Sequence, residues 1–112
     1  MSVYNKAHEL ARAISQSREY SELKSAFEKI KNDEKAKQMY KDFRKKQIEV
    51  QLDEISGKNT DEKAKQLENL YEVLSYNDDL KNLLESEVKF ATLAADIQEI
   101  LSKALDFDLE NW

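Results

Sequence analysis

Residues 77–107 read NDDLKNLLESEVKFATLAADIQEILSKALDF, and this stretch decides the fold. It contains neither proline nor glycine, the residues that most disfavour a helix interior, so it can form one unbroken helix. Its apolar residues recur at the spacing of one helix face: Leu80, Leu83, Leu84, Phe90, Ala91, Ala94, Ile97, Leu101 and Leu105. Four further apolar residues widen this arc: Val88, Leu93, Ala95 and Ile100. We therefore expect the helix to contact more than one neighbour.

Four further helices are predicted before this stretch, and capping and turn residues mark their ends. They cover about residues 2–16, a segment from Ser17 to Ile30, residues 33–55 and residues 61–75. Ser17 and Asp33 have side chains that cap helix starts, and Thr60 is the natural cap of the fourth helix. Gly57 suits a left-handed helix end.

The predicted architecture follows from these helices and their connections. Short connections favour antiparallel neighbours. The sequence therefore predicts an all-α antiparallel bundle of about five helices, a single domain over residues 1–112, with long helices at about 33–55 and 77–107.

The composition excludes several classes of protein. The 112 residues include no cysteine, which rules out a disulfide scaffold, a thiolate metal site and a cysteine nucleophile in this chain. No stretch approaches the roughly 20 apolar residues of a membrane span, and the first residues lack the apolar run of a signal peptide. We expect a soluble cytoplasmic protein without a membrane role. The net charge of −5 also opposes nucleic-acid binding by the average surface.

No residue set carries recognisable catalytic chemistry. His8 is the sole histidine, and a di-iron bundle would need two Glu-x-x-His elements. One glycine cannot build a phosphate-binding loop. Many carboxylates stand four residues from a lysine, as Glu85 does from Lys89, which is typical of solvated helix surfaces. We therefore expect no enzymatic activity, no metal and no cofactor.

Three polar features leave alternatives open. Residues Lys41, Arg44, Lys45 and Lys46 form the densest basic cluster, which is either a solvated helix surface or an RNA contact. Gln47 lies in the middle of an apolar stripe, so it either bonds to another helix, the alternative we favour, or faces a wet surface. The tail DFDLENW, residues 106–112, is either a docking motif or a frayed end that covers the bundle.

The clearest functional indication is apolar area without a partner. Beside the wide arc of the last helix, a second apolar line opens on the third helix. Each Å² of apolar surface that stays in water forgoes about 25 cal/mol of the stabilising free energy that its burial would contribute. We therefore expect a non-catalytic interaction protein that uses its long helices to form a homodimer or to bind a stable partner protein, with these interface candidates: Ile48, Leu52, Ile55, Phe90, Leu93, Ile97, Ile100 and Leu101. The alternatives are an RNA-associated factor that uses residues 41–46 and a holdase-type chaperone.

Several motifs resemble those of a known family. Ser17-Arg-Glu-Tyr20 is followed by Asn32-Asp33-Glu34-x-Ala36 and then by Met39-Tyr40-x-x-Phe43-x-x-x-Gln47. With the glycine loop and the long last helix, this order resembles the YlbF/YmcA family of small helical proteins of Gram-positive bacteria, most closely its YheA-like branch.

The resemblance implies an all-α bundle, commonly dimeric, with no known enzymatic activity. Better-known members act in a regulatory complex linked to ribonuclease Y that influences mRNA processing. The resemblance therefore implies that the expected interaction protein is a regulatory adaptor acting as a dimer. That complex carries iron–sulfur clusters through cysteines, and this chain has none, so the cluster role does not transfer. Phe43 and Gln47 carry over as packing positions only.

Overall fold

The computed structural model describes residues 2–106, which form helices joined by short connections. Five helices follow in chain order: α1 (Val3–Ser15), α2 (Arg18–Ile30), α3 (Glu34–Ile55), α4 (Asp61–Leu74) and α5 (Asp78–Ala104). The predicted all-α class and its two long helices are confirmed, since α3 has 22 residues and α5 has 27. The expected end of the last helix at Phe107, like the hypothesis about the acidic tail, falls outside the described residues.

Side-chain caps fix the starts of α2 and α3 where the sequence predicts them. The Ser17 hydroxyl accepts a hydrogen bond from the backbone N–H of Tyr20 at 3.1 Å. Asp33 accepts one from the backbone N–H of Ala36, also at 3.1 Å. Each bond satisfies a donor that the first turn of a helix leaves without an intrahelical partner, which is why the chain starts a new helix at these points.

The end of α3 is a Schellman motif built on Gly57. This glycine has φ +77°, a left-handed conformation that costs glycine no steric strain. The backbone N–H of Lys58 donates to the Asp53 carbonyl at 2.9 Å, and that of Gly57 donates to the Glu54 carbonyl at 3.1 Å. These two bonds satisfy carbonyls that the helix end would otherwise leave free, so α3 stops here.

The start of α4 differs from the prediction in its detail. Thr60 occupies the N-cap position, but its side chain makes no capping hydrogen bond. Instead, the side-chain oxygen of Asn59 accepts from the backbone N–H of Asp61 at 2.9 Å. An Asn side chain can reach the N–H two residues ahead, and this short-range bond replaces the threonine cap.

The described helices belong to two units of the chain. We call residues Lys24–Leu84 the central unit, and Met1–Leu23 with Glu85–Trp112 the terminal unit. Both α2 and α5 contribute residues to each unit without a break in the helix. The single-domain organisation expected from the sequence stays a prediction.

The central unit holds the hydrophobic core. Nine apolar residues within the described range are buried, and all of them lie here: Ala26, Ile30, Ala36, Phe43, Val50, Leu74, Leu80, Leu83 and Leu84. Helices α3 and α4 pack antiparallel, because Asp53 meets Lys63 near the connecting loop and Phe43 meets Tyr71 further along, with ring centroids 5.9 Å apart. The first turns of α5 add Leu80, Leu83 and Leu84 to the buried residues of this unit.

The terminal unit has contacts but little interior. The rings of Tyr20 on α2 and Phe90 on α5 have centroids 5.8 Å apart. The Lys89 ammonium lies 4.0 Å from the carboxylate of Glu22. Helix α1 contains no buried residue. Its apolar side chains are therefore not enclosed by the chain as the structure describes it.

We expect truncation of Leu83 to destabilise the central unit. Replacing this fully buried residue by alanine (Leu83→Ala) should lower the free energy of unfolding by about 2–5 kcal/mol, because it removes buried methyl groups and leaves a cavity. Urea denaturation followed by circular dichroism measures the change. The adjacent exposed Asn82→Ala is the control and should shift stability by no more than about 0.5 kcal/mol. Equal effects of the two substitutions on the free energy of unfolding would contradict the burial of Leu83 in this core.

The ion pair between α3 and α4 should make stability depend on pH. The Lys63 ammonium donates to the Asp53 carboxylate at 2.8 Å, and this bond lowers the pKa of Asp53 below its ordinary value of 3.8. The same bond raises the pKa of Lys63 above 10.5. Because both folded-state values move away from neutrality, the stabilisation is complete at neutral pH. It should be lost as pH falls through the lowered pKa of Asp53 and as pH rises through the raised pKa of Lys63.

Comparison with Asp53→Asn tests this pH dependence. The difference in unfolding free energy between the wild type and Asp53→Asn should be constant around neutrality and should shrink on acidification below pH 3.8. In a Lys63→Met background the same substitution should show no such pH dependence. A difference that persists unchanged in strong acid would contradict the assignment to this pair.

Candidate interaction surfaces

Among the described residues, chemistry-bearing side chains do not gather into a cluster. No group of three or more His, Cys, Asp or Glu side chains in residues 2–106 lies close enough to hold a metal ion. His8 lies exposed on α1. In the same range, no helix combines the length and apolar character that crossing a membrane requires. The candidate sites in the described residues are therefore surfaces that can contact another molecule.

Helix α1 presents an apolar face that the described chain leaves open. We call the following residues the α1 face: Val3, Tyr4, Ala7, Leu10, Ala11 and Ile14. Their spacing places them on one side of the helix, and Asn5, Glu9 and Arg12 lie on the other. Ile14 is half-buried and the rest are exposed, with Tyr4 at 78%. A helix this amphipathic is usually found with its apolar side covered.

The interface candidates on α5 lie in the terminal unit. Phe90, Leu93 and Ile97 are half-buried there. Ile100 and Leu101 are exposed, at 67% and 44%. The apolar arc of this helix is therefore only partly covered within the terminal unit.

The candidates on α3 are exposed in the central unit. Ile48, Leu52 and Ile55 follow one line on the helix, and the exposed fraction reaches 83% at Ile55. All three lie apart from the buried stripe of α3, which runs through Ala36, Phe43 and Val50. A role for them in an interface stays a prediction.

Gln47 does not make the interhelical bond that we favour from the sequence. Its side-chain oxygen accepts a hydrogen bond from Arg44, one turn earlier on the same helix, at 2.8 Å. Arg44 also donates to the Tyr40 hydroxyl at 3.1 Å. The amide is half-buried and satisfied locally, so it does not fix the register between helices. Sequence spacing located Gln47 on the stripe but could not identify a partner on its own helix.

The basic cluster is partly occupied by contacts within α3. Arg44 is bound to Tyr40 and Gln47, and the Lys46 ammonium lies 3.6 Å from the Glu49 carboxylate. Lys45 is exposed. Lys41 has no carboxylate within 4 Å among the described residues, and it faces a pocket that sequence reasoning missed.

That pocket lies between α2 and α3 in the central unit. We call it the α2–α3 pocket; its lining consists of Phe27, Glu28, Ile30, Lys31, Lys37, Tyr40 and Lys41. Its volume is about 310 Å³. The rings of Phe27 and Tyr40 meet edge to face in it, with centroids 5.8 Å apart and planes at 84°. The pocket therefore has an aromatic wall and three lysines around it.

A charge count along the chain would have pointed to this region. Residues 24–46 contain nine Lys and Arg against four Asp and Glu, a net charge of +5. Because the whole chain has −5, the remaining residues sum to −10. The overall charge conceals this separation, and the count identifies the segment that forms the pocket.

A second groove lies in the terminal unit between α2 and α5, with a volume of about 440 Å³. Its lining includes Arg18, Glu22 and Lys89. The Glu22 carboxylate lies 3.1 Å from Arg18 and 4.0 Å from Lys89. The charges of this groove are thus largely neutralised by one another, in contrast to those of the α2–α3 pocket.

Comparisons with known proteins identify similar chains of comparable length. A UPF0342 protein of Caldicellulosiruptor bescii is 40% identical, over 98% of this chain and 93% of that relative. A UPF0342 protein of Symbiobacterium thermophilum is 42% identical, over 96% of each chain. Among solved structures, a protein of unknown function (DUF964) from Bacillus stearothermophilus has a TM-score of 0.80 at 25% identity and covers 93% of this chain and 92% of its own.

A family profile covers nearly the whole chain. The profile described as "Control of competence regulator ComK, YlbF/YmcA" matches residues 3–106, from the start of α1 to just beyond the end of α5. The relatives match over the same extent. The resemblance noted in the sequence is thereby confirmed: the chain belongs to the YlbF/YmcA family.

Proposed function

We propose that the protein is a non-catalytic regulatory adaptor that forms a homodimer through the apolar surface of its terminal unit. The observation that carries this proposal is the α1 face, an amphipathic helix without a single buried residue. The exposed residues Ile100 and Leu101 of α5 belong to the same unit. Covering these side chains gains about 25 cal/mol for each Å² of apolar surface removed from water.

A second copy is the occupant that self-complementarity favours. The exposed apolar side chains of α1 and α5 belong to the terminal unit, so each copy presents the same apolar residues to the other. In a two-fold symmetric dimer each protomer offers the same patch, so every apolar residue of the patch is buried in both protomers. No additional partner is needed to cover the α1 face.

The family name supports the regulatory part of the proposal. Members are described as controlling the competence regulator ComK, which is an action on another protein's activity. We propose the same class of action for this chain, exerted by binding and not by chemistry. The exposed line of Ile48, Leu52 and Ile55 on α3 then serves as a further contact surface. The cytoplasmic location expected from the sequence stays a prediction.

We expect one charge on either apolar face to break the dimer. Leu10→Glu on the α1 face and Leu101→Glu on α5 should each raise the dimer dissociation constant by about tenfold or more, because two carboxylates per dimer would be buried without partners. Sedimentation equilibrium over a wide concentration range measures the constant. Circular dichroism confirms that each variant remains helical.

Asn5→Glu is the matched control, since it adds the same charge to the polar side of α1. Its dissociation constant should equal that of the wild type. A wild-type mass of 13.1 kDa at every concentration would contradict the proposed function. A dimer that tolerates both Leu10→Glu and Leu101→Glu would show that the interface lies elsewhere.

A further inference from the structure

We propose that the α2–α3 pocket is a docking site for an acidic peptide segment of a partner protein, which inserts one large apolar side chain between Phe27 and the lysines. The inference rests on the proposed adaptor function and adds the chemistry of what the adaptor holds. It concerns the central unit, whereas the dimer surface lies in the terminal unit.

The walls of the pocket favour an apolar insert of limited size. Ile30, 3% exposed, is part of the core beneath it, whereas Phe27 remains 41% exposed although it packs against Tyr40. The volume of about 310 Å³ lies at the small end of the range of roughly 300–1,000 Å³ for ligand sites. It suits a single aromatic or long aliphatic side chain.

The lining of the pocket has a net positive charge, with three lysines against the single carboxylate of Glu28. Lys31 lies 3.8 Å from Glu28, and Lys37 lies 3.9 Å from Glu34. These are long, solvent-exposed pairs between residues three apart, so they hold the ammonium groups weakly. Lys41 has no such pair among the described residues. Three ammonium groups can thus turn toward carboxylates that flank an inserted side chain.

The surrounding charge acts in the same direction at longer range. Residues 24–46 carry +5 within a chain whose remaining residues carry −10. An acidic segment is therefore attracted to residues 24–46, whereas the remaining residues sum to a charge that opposes its binding. Charge complementarity of this kind favours one docking position over the rest of the molecule.

The aromatic wall favours a peptide over single-stranded nucleic acid. Proteins that bind single strands stack bases on open aromatic faces. Here Phe27 packs edge to face with Tyr40, and the Arg44 guanidinium lies 5.7 Å from the centroid of the Tyr40 ring. Arg44 also donates to the Tyr40 hydroxyl. The Tyr40 ring is thus already engaged and offers no platform for a base, whereas the pocket beside it still admits one side chain.

The test uses fluorescein-labelled peptides and the full-length protein. The probe is Asp-Glu-Trp-Asp-Glu; the control peptides are Asp-Glu-Ser-Asp-Glu, which lacks the apolar side chain, and Lys-Lys-Trp-Lys-Lys, which reverses the charge. Fluorescence anisotropy should show saturable binding of the probe that weakens with added salt, and no binding of either control. Amide chemical-shift changes should centre on Phe27, Tyr40 and Lys41.

Variants locate the site. Lys41→Glu should raise the dissociation constant of the probe by about tenfold or more, because it replaces an attraction at the rim by a repulsion. Lys35→Glu makes the same charge change on α3 away from the pocket and should raise this dissociation constant much less. Phe27→Ala should abolish binding of the probe. If Phe27→Ala fails to fold, Lys41→Glu still tests the proposal.

The outcomes separate this proposal from the proposed dimer. Leu10→Glu should leave probe binding unchanged, and Lys41→Glu should leave the dimer intact. A dimeric protein that does not bind the probe would overturn the pocket proposal alone. Binding of a labelled single-stranded RNA in place of the peptide, or equal loss with Lys35→Glu and Lys41→Glu, would overturn it as well.

Discussion

The structure depends on how the first turns of α5 are buried. Leu80, Leu83 and Leu84 are enclosed in the central unit together with Leu74 from the preceding helix. The same helix continues without interruption past Glu85 into the terminal unit, where its apolar residues are at most half-buried. One continuous apolar arc is therefore divided into a part that is buried in the central unit and a part that is half-buried or exposed in the terminal unit.

The sequence predicts most of the fold because the fold is set by local rules. Periodicity located the helices, and Asp33 and Gly57 mark boundaries because cap and left-handed residues act within one turn. The same rules predict Thr60 as the cap of α4, whereas the side chain of the preceding residue, Asn59, makes the hydrogen bond. The prediction that Gln47 bonds to another helix was wrong for a related reason. Spacing shows on which face of the helix a side chain lies, but not that Arg44 of the same helix donates a hydrogen bond to it.

The candidate sites were predictable only in part. Exposed apolar lines on α3 and α5 follow from helical spacing, because residues on one face are known once the helix is known. The α2–α3 pocket depends on how two helices meet, and Phe27 and Tyr40 are brought together by a turn whose geometry no spacing rule gives. The total charge of −5 also concealed it, since a basic segment and an acidic remainder partly cancel in the sum.

The division of the chain into units has a consequence for its synthesis. The central unit is one uninterrupted segment, Lys24–Leu84, so all of its core residues are synthesised before residue 85 is added. The terminal unit combines residues 1–23 with residues 85–112, so α1 is synthesised well before the part of α5 that belongs to the same unit. Segments generally fold in the order of their synthesis, at about 5–20 residues per second. For several seconds α1 is thus an amphipathic segment whose partner residues in the terminal unit have not yet been synthesised, and its apolar side is accessible to chaperones and to neighbouring nascent chains.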